Sequence, residues 1–235
     1  TVSQVFSVFA ASAAYAAGVK HGLEAIGDTE TQVVSYAGDG GTYDIGIQAI
    51  SGAAERNDDI IHFCGDNEAY MNTGFQRSGA TPMGAWTNSS PSKKEPKKDI
   101  MTIIAGHHIP YAATLSVAYP DDFMRKVQRA KETRGFRFLK VLDPCPVGWR
   151  AEPSLGVTIA RLAVQAKVDQ LFETVDGEHI AVQRPGKFIP VREYLETQKR
   201  FAHLTEEEVN AIQERTNEAW EKLLARAESV TALRY

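Results

Sequence analysis

Gly38-Asp39-Gly40-Gly41-Thr42 follows the β-rich run of residues 32–37 and precedes a helix-like pattern at residues 43–56. A second β-rich run, residues 59–64, comes next and ends shortly before Asn67. A strand, a glycine-rich turn, a helix and another strand in this order predict a βαβ unit with parallel strands. Ligands of open parallel sheets bind at the carboxyl ends of the strands. We therefore expect the turn and Asn67 at the ligand-binding edge of the sheet.

Three oxygen donors at this edge form a set that suits a hard cation. Asp39 offers a carboxylate oxygen, Asn67 an amide oxygen, and a backbone carbonyl near Ala69 a third. Mg²⁺ prefers oxygen ligands in an octahedral shell, and three protein donors leave room for phosphate oxygens. The glycines let the backbone approach phosphates, and the next helix directs its N-terminus at them. Taken one at a time, Asp39 and Asn67 are ordinary turn and capping residues. The prediction of a Mg²⁺-diphosphate site therefore depends on the spacing between them.

Several segments in a fixed order resemble one known family. GDG followed at this distance by Asn is similar to the thiamine-diphosphate motif. The flanking segments resemble the β subunit of the 2-oxoacid:ferredoxin oxidoreductases, the pyruvate synthase group. These segments are residues 38–46, 66–74, 81–87, 119–127 and 144–149. The likeness extends over residues 10–215, nearly the whole chain.

The resemblance implies an α/β fold, with a parallel sheet and helices on both of its faces. It also implies oxidative decarboxylation of a small 2-oxoacid, pyruvate or oxalate. Electrons would pass through [4Fe-4S] clusters to ferredoxin, and coenzyme A would accept the acyl group where the substrate provides one. Other subunits of the same oxidoreductase are the expected partners: one supplies the catalytic glutamate and one carries further clusters. On this prediction the chain forms half of an active site.

The family's site residues can be carried over to matching positions of this sequence. Asp39, Asn67 and the backbone oxygen of Ala69 would hold Mg²⁺. Asn72 would reach the substrate, since an amide can donate to a developing negative charge without adding charge of its own; the alternative is an asparagine that stabilises its own loop. The implied cofactor-binding residues are Gly38, Asp39, Gly40, Gly41, Thr42, Asn67, Ala69, Asn72 and Thr73.

The two cysteines have different expected roles. The resemblance makes Cys145, between two prolines, one ligand of a [4Fe-4S] cluster whose other three ligands lie upstream; such clusters are held by thiolates. Cys64 lies in a predicted strand and is interpreted as a buried apolar residue. The chain opens inside the helix-like pattern of residues 5–26, and the resembled β subunits carry an upstream segment with cysteines. The sequence is therefore expected to be the later part of a longer polypeptide.

Composition excludes several other classes of protein. The chain has 235 residues, 43% hydrophobic and 24% charged, which is ordinary for a globular protein. Its net charge of −4 gives no basic face for nucleic acid. The apolar stretch at residues 5–19 is short for a membrane span, so no membrane association is expected. Two cysteines form no disulfide framework and fit a reducing cytoplasm.

The chain divides into two predicted parts: a thiamine-diphosphate-binding α/β domain at residues 1–168, and a hairpin and helical arm at residues 169–235. The remaining predicted elements are a loop at 73–99, helices at 99–105 and 120–133, strands at 111–117 and 136–142, and a hairpin at 171–184. The capping box at residues 205–208 opens the last helix. Its apolar face is predicted to pack on a partner subunit; it consists of Val209, Ile212, Ala219, Trp220 and Leu223.

Two further observations leave alternatives open. Where the pyruvate-type family tends to have Phe-Glu-Asn-Ala-Ala, this chain has Phe9-Ala10-Ala11-Ser12-Ala13, and the loss of a carboxylate and an amide makes oxalate a candidate substrate. The lysines of residues 93–98 are interpreted as a solvated loop, and His62 as a core histidine. The competing functions are a non-oxidative thiamine-diphosphate decarboxylase and a non-catalytic assembly subunit.

Overall fold

One six-stranded sheet forms the centre of the computed structural model, which describes residues 3–232 and the side chains of residues 3–228. The strands are β1 Val33–Gly38, β2 Ile60–Asp66, β3 Tyr111–Leu115, β4 Arg137–Leu142, β5 Leu171–Val175 and β6 His179–Gln183. Their order is β1-β2-β4-β3-β5-β6, with β1, β2, β4 and β3 parallel and β5 and β6 antiparallel. The predicted α/β class with a parallel sheet is confirmed.

Helices cover both faces of this sheet. They are α1 Ser12–Ala25, α2 Ile47–Glu55, α3 Ile100–Ala105, α4 Pro120–Glu132, α5 Pro146–Trp149, α6 Gly156–Gln165, α7 Val191–Leu195 and α8 Glu206–Ala232. Successive strand residues point to opposite faces. Ile60 and Cys64 therefore join the core under α1, α2 and α3, whereas Ile61 joins the core under α4. Among the helices of the described residues, none has an apolar stretch long enough to span a bilayer.

The first two helices begin later than their sequence patterns predict. The helix expected from residue 5 starts at Ser12, and the apolar residues before it are largely exposed, including Phe6. The helix expected from residue 43 is split into a wide π-helical turn at Gly40–Asp44 and α2 from Ile47. Gly46 lies directly against the carbonyl of Gly41, where a side chain would overlap it. The close approach of two glycines therefore allows the wide turn.

The last helix begins at the predicted capping box. Thr205 N–H donates to Glu208 Oε2 (2.9 Å), and Glu208 N–H donates to Thr205 Oγ1 (3.3 Å). Its apolar face, however, packs on its own chain: Trp220 and Leu223 are buried, and the Trp220 ring meets Phe188 edge-on at 5.6 Å. β6, α7 and the nearby loops thus cover part of this face, whereas Ala219 is exposed and Val209 and Ile212 are half-buried, so its packing on a partner subunit stays a prediction.

The hairpin β5–β6 continues the same sheet, since β5 pairs with β3. The parts predicted at residues 1–168 and 169–235 thus share one sheet. The domain boundary, and any contact of the second part with another subunit, stay predictions.

His62 is a core histidine, as predicted. It is fully buried, with Nδ1 3.0 Å from Ser35 Oγ and Nε2 3.2 Å from Thr42 Oγ1, and its ring stacks on Phe138 at 5.7 Å. Burial disfavours the charged imidazolium and lowers the pKa of His62 to about 4. The folded protein therefore holds this side chain neutral.

We expect His62 to make the chain less stable in mild acid. The unfolded imidazole binds a proton below pH 6.5 and the folded one only near pH 4, so stability falls as the pH drops from 6.5 to 4. The full loss is about 3 kcal/mol, from about 1.4 kcal/mol per pKa unit. Urea unfolding at pH 7 and pH 5 should show about 2 kcal/mol of this loss, because the loss is complete only below pH 4. His62→Gln should show a smaller difference between the two pH values. An equal difference in both proteins would contradict a neutral buried histidine.

Candidate functional site

The carboxyl ends of β1, β2 and β4 meet at one edge of the sheet. Gly38 of β1 pairs with Gly65 of β2, and Asp66 of β2 pairs with Leu142 of β4. Asp39, Asn67 and the turn that contains Cys145 therefore leave the sheet side by side. The sequence prediction that the first two lie at neighbouring strand ends is confirmed.

The side chains of Asp39 and Asn67 and the backbone of Ala69 converge at this edge. The inner terminal atom of the Asn67 amide lies 2.9 Å from Asp39 Oδ1 and 2.7 Å from the carbonyl oxygen of Ala69. Metal–oxygen distances of about 2.0–2.1 Å in an octahedral Mg²⁺ shell place adjacent oxygens about 2.9 Å apart. The spacing therefore matches that of neighbouring ligands around Mg²⁺.

The amide of Asn67 can serve this cluster in two orientations. With its nitrogen inward, the NH₂ group donates to both oxygens. With its oxygen inward, three oxygens meet at ligand spacing, which is unfavourable without a cation and suitable with one. Amide orientation is assigned from its partners. A bound Mg²⁺ would select the oxygen-inward orientation, so the donor set fits the metal.

The electrostatics of Asp39 also favour a cation. Its side chain is 1% exposed, and its Oδ2 accepts a short hydrogen bond from the Ser78 hydroxyl. Burial and the nearby Asp66 carboxylate raise the pKa of Asp39 to about 7, although Ser78 and Lys97 act in the opposite direction. A buried carboxylate with a raised pKa lacks positive charge around it. Mg²⁺ bound to Asp39 would supply that charge.

Two more carboxylates alternate with these donors along the chain. Asp66 Oδ2 accepts from Tyr43 OH (2.8 Å) and Lys97 Nζ (2.7 Å). Glu68 accepts from the same Lys97 Nζ (2.9 Å) and from Arg200 Nη2 (2.5 Å). Burial would raise the pKa of Asp66, but Lys97 and Lys140 outweigh it and hold that pKa below its usual value. Asp66 is therefore held in its charged form, and both carboxylates bind cationic side chains on the inner side of the segment.

Backbone hydrogen bonds also fix this segment. The carbonyl of Asn67 accepts from Trp149 Nε1 (2.8 Å), and that of Glu68 accepts from Thr81 Oγ1 (2.6 Å). Glu68 has a φ of 66°, in the left-handed region that non-glycine residues rarely adopt. Glu68 is thus a residue of unusual backbone conformation directly between Asn67 and Ala69, two of the proposed metal ligands.

The glycines of the first turn lie where a diphosphate is predicted to bind. A side chain at Gly40 would overlap the ring of Tyr70, whose hydroxyl donates to Asp44 Oδ2 at 3.0 Å. The first N–H groups of a helical turn have no partner within the turn. Thr42, however, directs its hydroxyl inward to His62 at 3.2 Å. The hydroxyl of Thr42 is therefore occupied, and only the backbone N–H of this residue is left to contact a phosphate.

Asn72 and Thr73 lie on the loop that follows the metal-binding segment. Both are exposed, and Thr73 Oγ1 donates to Gln76 Oε1 at 2.6 Å. An isolated bridge between Tyr70 and Gln76 closes the loop. The exposed position of Asn72 leaves its amide accessible to a ligand, and its catalytic role stays a prediction.

The two cysteines lie in different environments: the buried position predicted for Cys64 is confirmed, and the cluster role of Cys145 stays a prediction. Cys64 is fully buried in β2, where burial raises the pKa of its thiol. Cys145 is partly exposed at the start of α5, and its Sγ accepts from the N–H of Gly148 at 3.4 Å. Among residues 3–228, no three His, Cys, Asp or Glu side chains are grouped to hold a metal. Cys145 can therefore provide one cluster ligand, and the rest would have to come from elsewhere.

A cavity of about 670 Å³ lies beside this site, between α8, α3 and the sheet. It reaches Tyr43, Glu68 and Lys97, but the three oxygen donors are not among its lining residues. The cavity thus borders the inner carboxylate of Glu68 rather than the metal-binding oxygens.

Three of the four loop lysines, Lys93, Lys97 and Lys98, were interpreted wrongly as solvated, whereas Lys94 is exposed as predicted. Lys93 is 2% exposed, with Nζ donating to the carbonyls of Thr81 (2.5 Å) and Pro96 (3.2 Å). Lys97 bridges the two inner carboxylates, and Lys98 Nζ lies 3.0 Å from Asp44 Oδ1. The loop has no periodic pattern, so nothing in the sequence places its side chains inside.

Sequence reasoning also missed Ser78, Trp149 and Arg200. Asp66 and Glu68 could have been found as candidates, because both stand directly beside the proposed ligand Asn67 in the sequence. Carboxylates buried there need cations as partners. No local signal in the sequence identifies which lysine or arginine those partners are.

Comparison with known proteins identifies relatives of this chain. Residues 1–141 match the family described as thiamine pyrophosphate enzyme, C-terminal TPP binding domain. Pyruvate synthase subunit PorB of Methanothermobacter thermautotrophicus is 49% identical over 221 residues, which cover 92% of this chain and 77% of the relative. Ketoisovalerate oxidoreductase subunit VorB of Pyrococcus horikoshii is 45% identical over 94% of this chain and 76% of the relative.

A solved structure shares the fold. The 2-oxoglutarate:ferredoxin oxidoreductase from Magnetococcus marinus, with 2-oxoglutarate, coenzyme A and succinyl-CoA bound, superposes with a TM-score of 0.53. The match is 19% identical and covers 63% of this chain and 57% of that chain. At this identity the likeness concerns the fold alone.

Proposed function

Because the chain belongs to the β subunits of the 2-oxoacid:ferredoxin oxidoreductases, we propose that its strand edge binds thiamine diphosphate through Mg²⁺. The observation that carries the proposal is the convergence of Asp39, Asn67 and Ala69, with distances of 2.9 Å and 2.7 Å from the Asn67 amide. Three protein oxygens at this spacing leave the remaining positions of the octahedron to diphosphate oxygens and water.

Each residue of the site has a defined task in this proposal. The Asp39 carboxylate neutralises the metal, while the Asn67 amide oxygen and the Ala69 carbonyl complete its protein ligands. The N–H groups of the turn at Gly40–Asp44 would donate to the diphosphate. The amide of Asn72 orients the substrate and donates to the oxygen on which negative charge develops. When bound, thiamine diphosphate supplies the electron sink for decarboxylation of a 2-oxoacid.

Iron–sulfur clusters and other subunits complete the proposed enzyme. Cys145 would be one thiolate ligand of a [4Fe-4S] cluster, with cysteines outside this sequence as the others. Trp149, four residues later, donates to the carbonyl of Asn67, so the Cys145 turn lies beside the metal-binding segment. We propose a partner subunit as the source of the catalytic glutamate, ferredoxin as electron acceptor and coenzyme A as acyl acceptor. The two unpaired cysteines favour a reducing, cytoplasmic location.

Residues 9–11 border the proposed substrate site. The rings of Phe9 and Tyr70 lie 6.2 Å apart, and the carbonyl of Phe9 lies beside Gly41. Ala10 and Ala11 bring no charge to this border, which suits a small 2-oxoacid with an uncharged side chain. The relatives named for pyruvate and ketoisovalerate support this class, and oxalate stays the second candidate.

A spectrum of the intact complex tests the proposal. Pyruvate, 3-methyl-2-oxobutanoate and oxalate are added in turn, with coenzyme A present and absent, and the iron–sulfur absorption is followed. We expect bleaching by a 2-oxoacid with an uncharged side chain, with oxalate inactive. Bleaching by oxalate alone would reassign the substrate. Decarboxylation without bleaching would favour a non-oxidative enzyme. A complex that does not retain thiamine diphosphate would favour a non-catalytic assembly subunit.

A further inference from the structure

Residues 66–69 alternate between two tasks. Asn67 and Ala69 supply two of the three proposed metal ligands, whereas Asp66 and Glu68 turn into the protein, with side chains 0% and 3% exposed. Because the backbone links all four, the position of the two carboxylates sets the position of the two ligands. Side chains that bind the carboxylates of Asp66 and Glu68 therefore also influence the positions of the metal ligands.

Lys97 holds both carboxylates at once. Its Nζ lies 2.7 Å from Asp66 Oδ2 and 2.9 Å from Glu68 Oε1, and its side chain is 27% exposed. It comes from the loop 31 residues beyond Asp66, so the bridge is a tertiary contact. Burial would lower the pKa of Lys97, but the two carboxylates raise it, and the bridge stays charged. A single ammonium thus fixes the spacing between two residues of the metal-binding segment.

The backbone between the two ligands needs such support. Glu68 adopts a left-handed conformation (φ 66°), which is unfavourable for a non-glycine residue. Lys97 and Arg200 hold its carboxylate, and Thr81 holds its carbonyl. Release of the Lys97 contact would let Glu68 relax towards an ordinary conformation. The carbonyl of Ala69 would then move away from Asp39 and Asn67.

We propose that Lys97 is a positioning residue that sets the affinity of the metal site by bridging Asp66 and Glu68. The inference rests on the proposed Mg²⁺-diphosphate function and names a residue that acts on it without touching the metal. Charge alone predicts the opposite result, because removal of a nearby cation would strengthen the binding of another cation. The sign of the change in Mg²⁺ affinity therefore separates positioning from simple electrostatics.

Lys97→Met and Lys94→Met in the intact complex form a matched pair. Both remove one positive charge from the same loop, but Lys94 is exposed and makes no contact with the metal-binding segment. The measured quantities are the Mg²⁺ concentration that gives half-maximal retention of thiamine diphosphate, and the binding of Mn²⁺ followed by its electron paramagnetic resonance signal. We expect Lys97→Met to weaken both by about 10- to 100-fold, as outer-shell changes do. Lys94→Met should match the unmodified protein.

Lys97→Arg and Lys97→Gln complete the test. Arginine can bridge two carboxylates and should restore most of the affinity. Glutamine keeps hydrogen-bond donors but has no charge, so the Mg²⁺ affinity of Lys97→Gln should lie between those of Lys97→Met and Lys97→Arg. Lys97→Gln replaces Lys97→Met if that variant fails to assemble. Equal or tighter Mg²⁺ binding in Lys97→Met or Lys97→Gln, compared with Lys94→Met, would overturn the positioning role. If the unmodified complex retained the cofactor independently of Mg²⁺, the proposed function itself would fail.

Discussion

Asp39→Asn is expected to abolish the Mg²⁺-dependent retention of thiamine diphosphate by the intact complex. Asp39 is the only charged member of the three-oxygen cluster, so the substitution removes the charge that holds the metal. The loss should exceed the roughly 10- to 100-fold typical of residues outside the ligand shell. Gel filtration at fixed Mg²⁺, followed by assay of the retained cofactor, measures it.

The fold should survive this substitution. Asparagine is nearly the same size as aspartate and can still accept the hydrogen bond from Ser78. Because burial and Asp66 raise the pKa of Asp39 to about 7, loss of the charge removes an unfavourable group from the metal-free protein. We expect an unfolding temperature equal to or above that of the unmodified chain. If Asp39→Asn unfolded at a lower temperature than the unmodified chain, loss of the cofactor would be explained by the damaged fold rather than by the lost metal ligand. If Asp39→Asn retained the cofactor normally, the metal assignment would be refuted.

Arg200→Met is expected to lower the free energy of unfolding by about 3 kcal/mol. The guanidinium of Arg200 is fully buried, pairs with Glu68 at 2.5 Å and lies 3.8 Å from the centre of the Trp149 ring. Removing one partner of a buried ion pair typically costs about 3–5 kcal/mol, because the other charge stays buried. Lys97 still pairs with Glu68, which places the expected value at the lower end of that range.

Arg192→Met is the matched control for this measurement. Arg192 pairs with Glu206 on the surface, and exposed pairs contribute about 0–1 kcal/mol. Urea unfolding of both variants gives the difference directly. A loss in Arg200→Met no larger than that in Arg192→Met would show that Glu68 is held well enough without its guanidinium partner.

The ligand-binding edge was predictable because it depends on local pattern and on parallel topology. A β-rich run before GDGG and another before Asn67 place both residues at carboxyl ends, and adjacent parallel strands bring those ends together. The fold class follows from the same alternation of strands and helices. The family resemblance added the identity of the diphosphate and of Asn72 and Cys145, which no spacing of residues could supply.

The rest of the site was hidden because it is built by tertiary contacts. Lys97 and Ser78 lie in a loop without periodic pattern, and only the folded chain shows that they reach Asp66 and Asp39. The last helix is the opposite case, because its apolar stripe is visible in the sequence, but the part of this chain that covers Trp220 and Leu223 is not. Trp220 packs on Phe188, which sits in a polar stretch that gives no sign of a core.

Mn²⁺ in place of Mg²⁺ offers the most direct test of the three-oxygen cluster. In the intact complex with thiamine diphosphate, we predict one Mn²⁺ for each chain, with hyperfine coupling to the phosphorus nuclei of the diphosphate. Both the bound Mn²⁺ and the coupling should disappear in Asp39→Asn. Mn²⁺ that binds without phosphorus coupling, or that binds unchanged in Asp39→Asn, would contradict a diphosphate held through Asp39, Asn67 and Ala69.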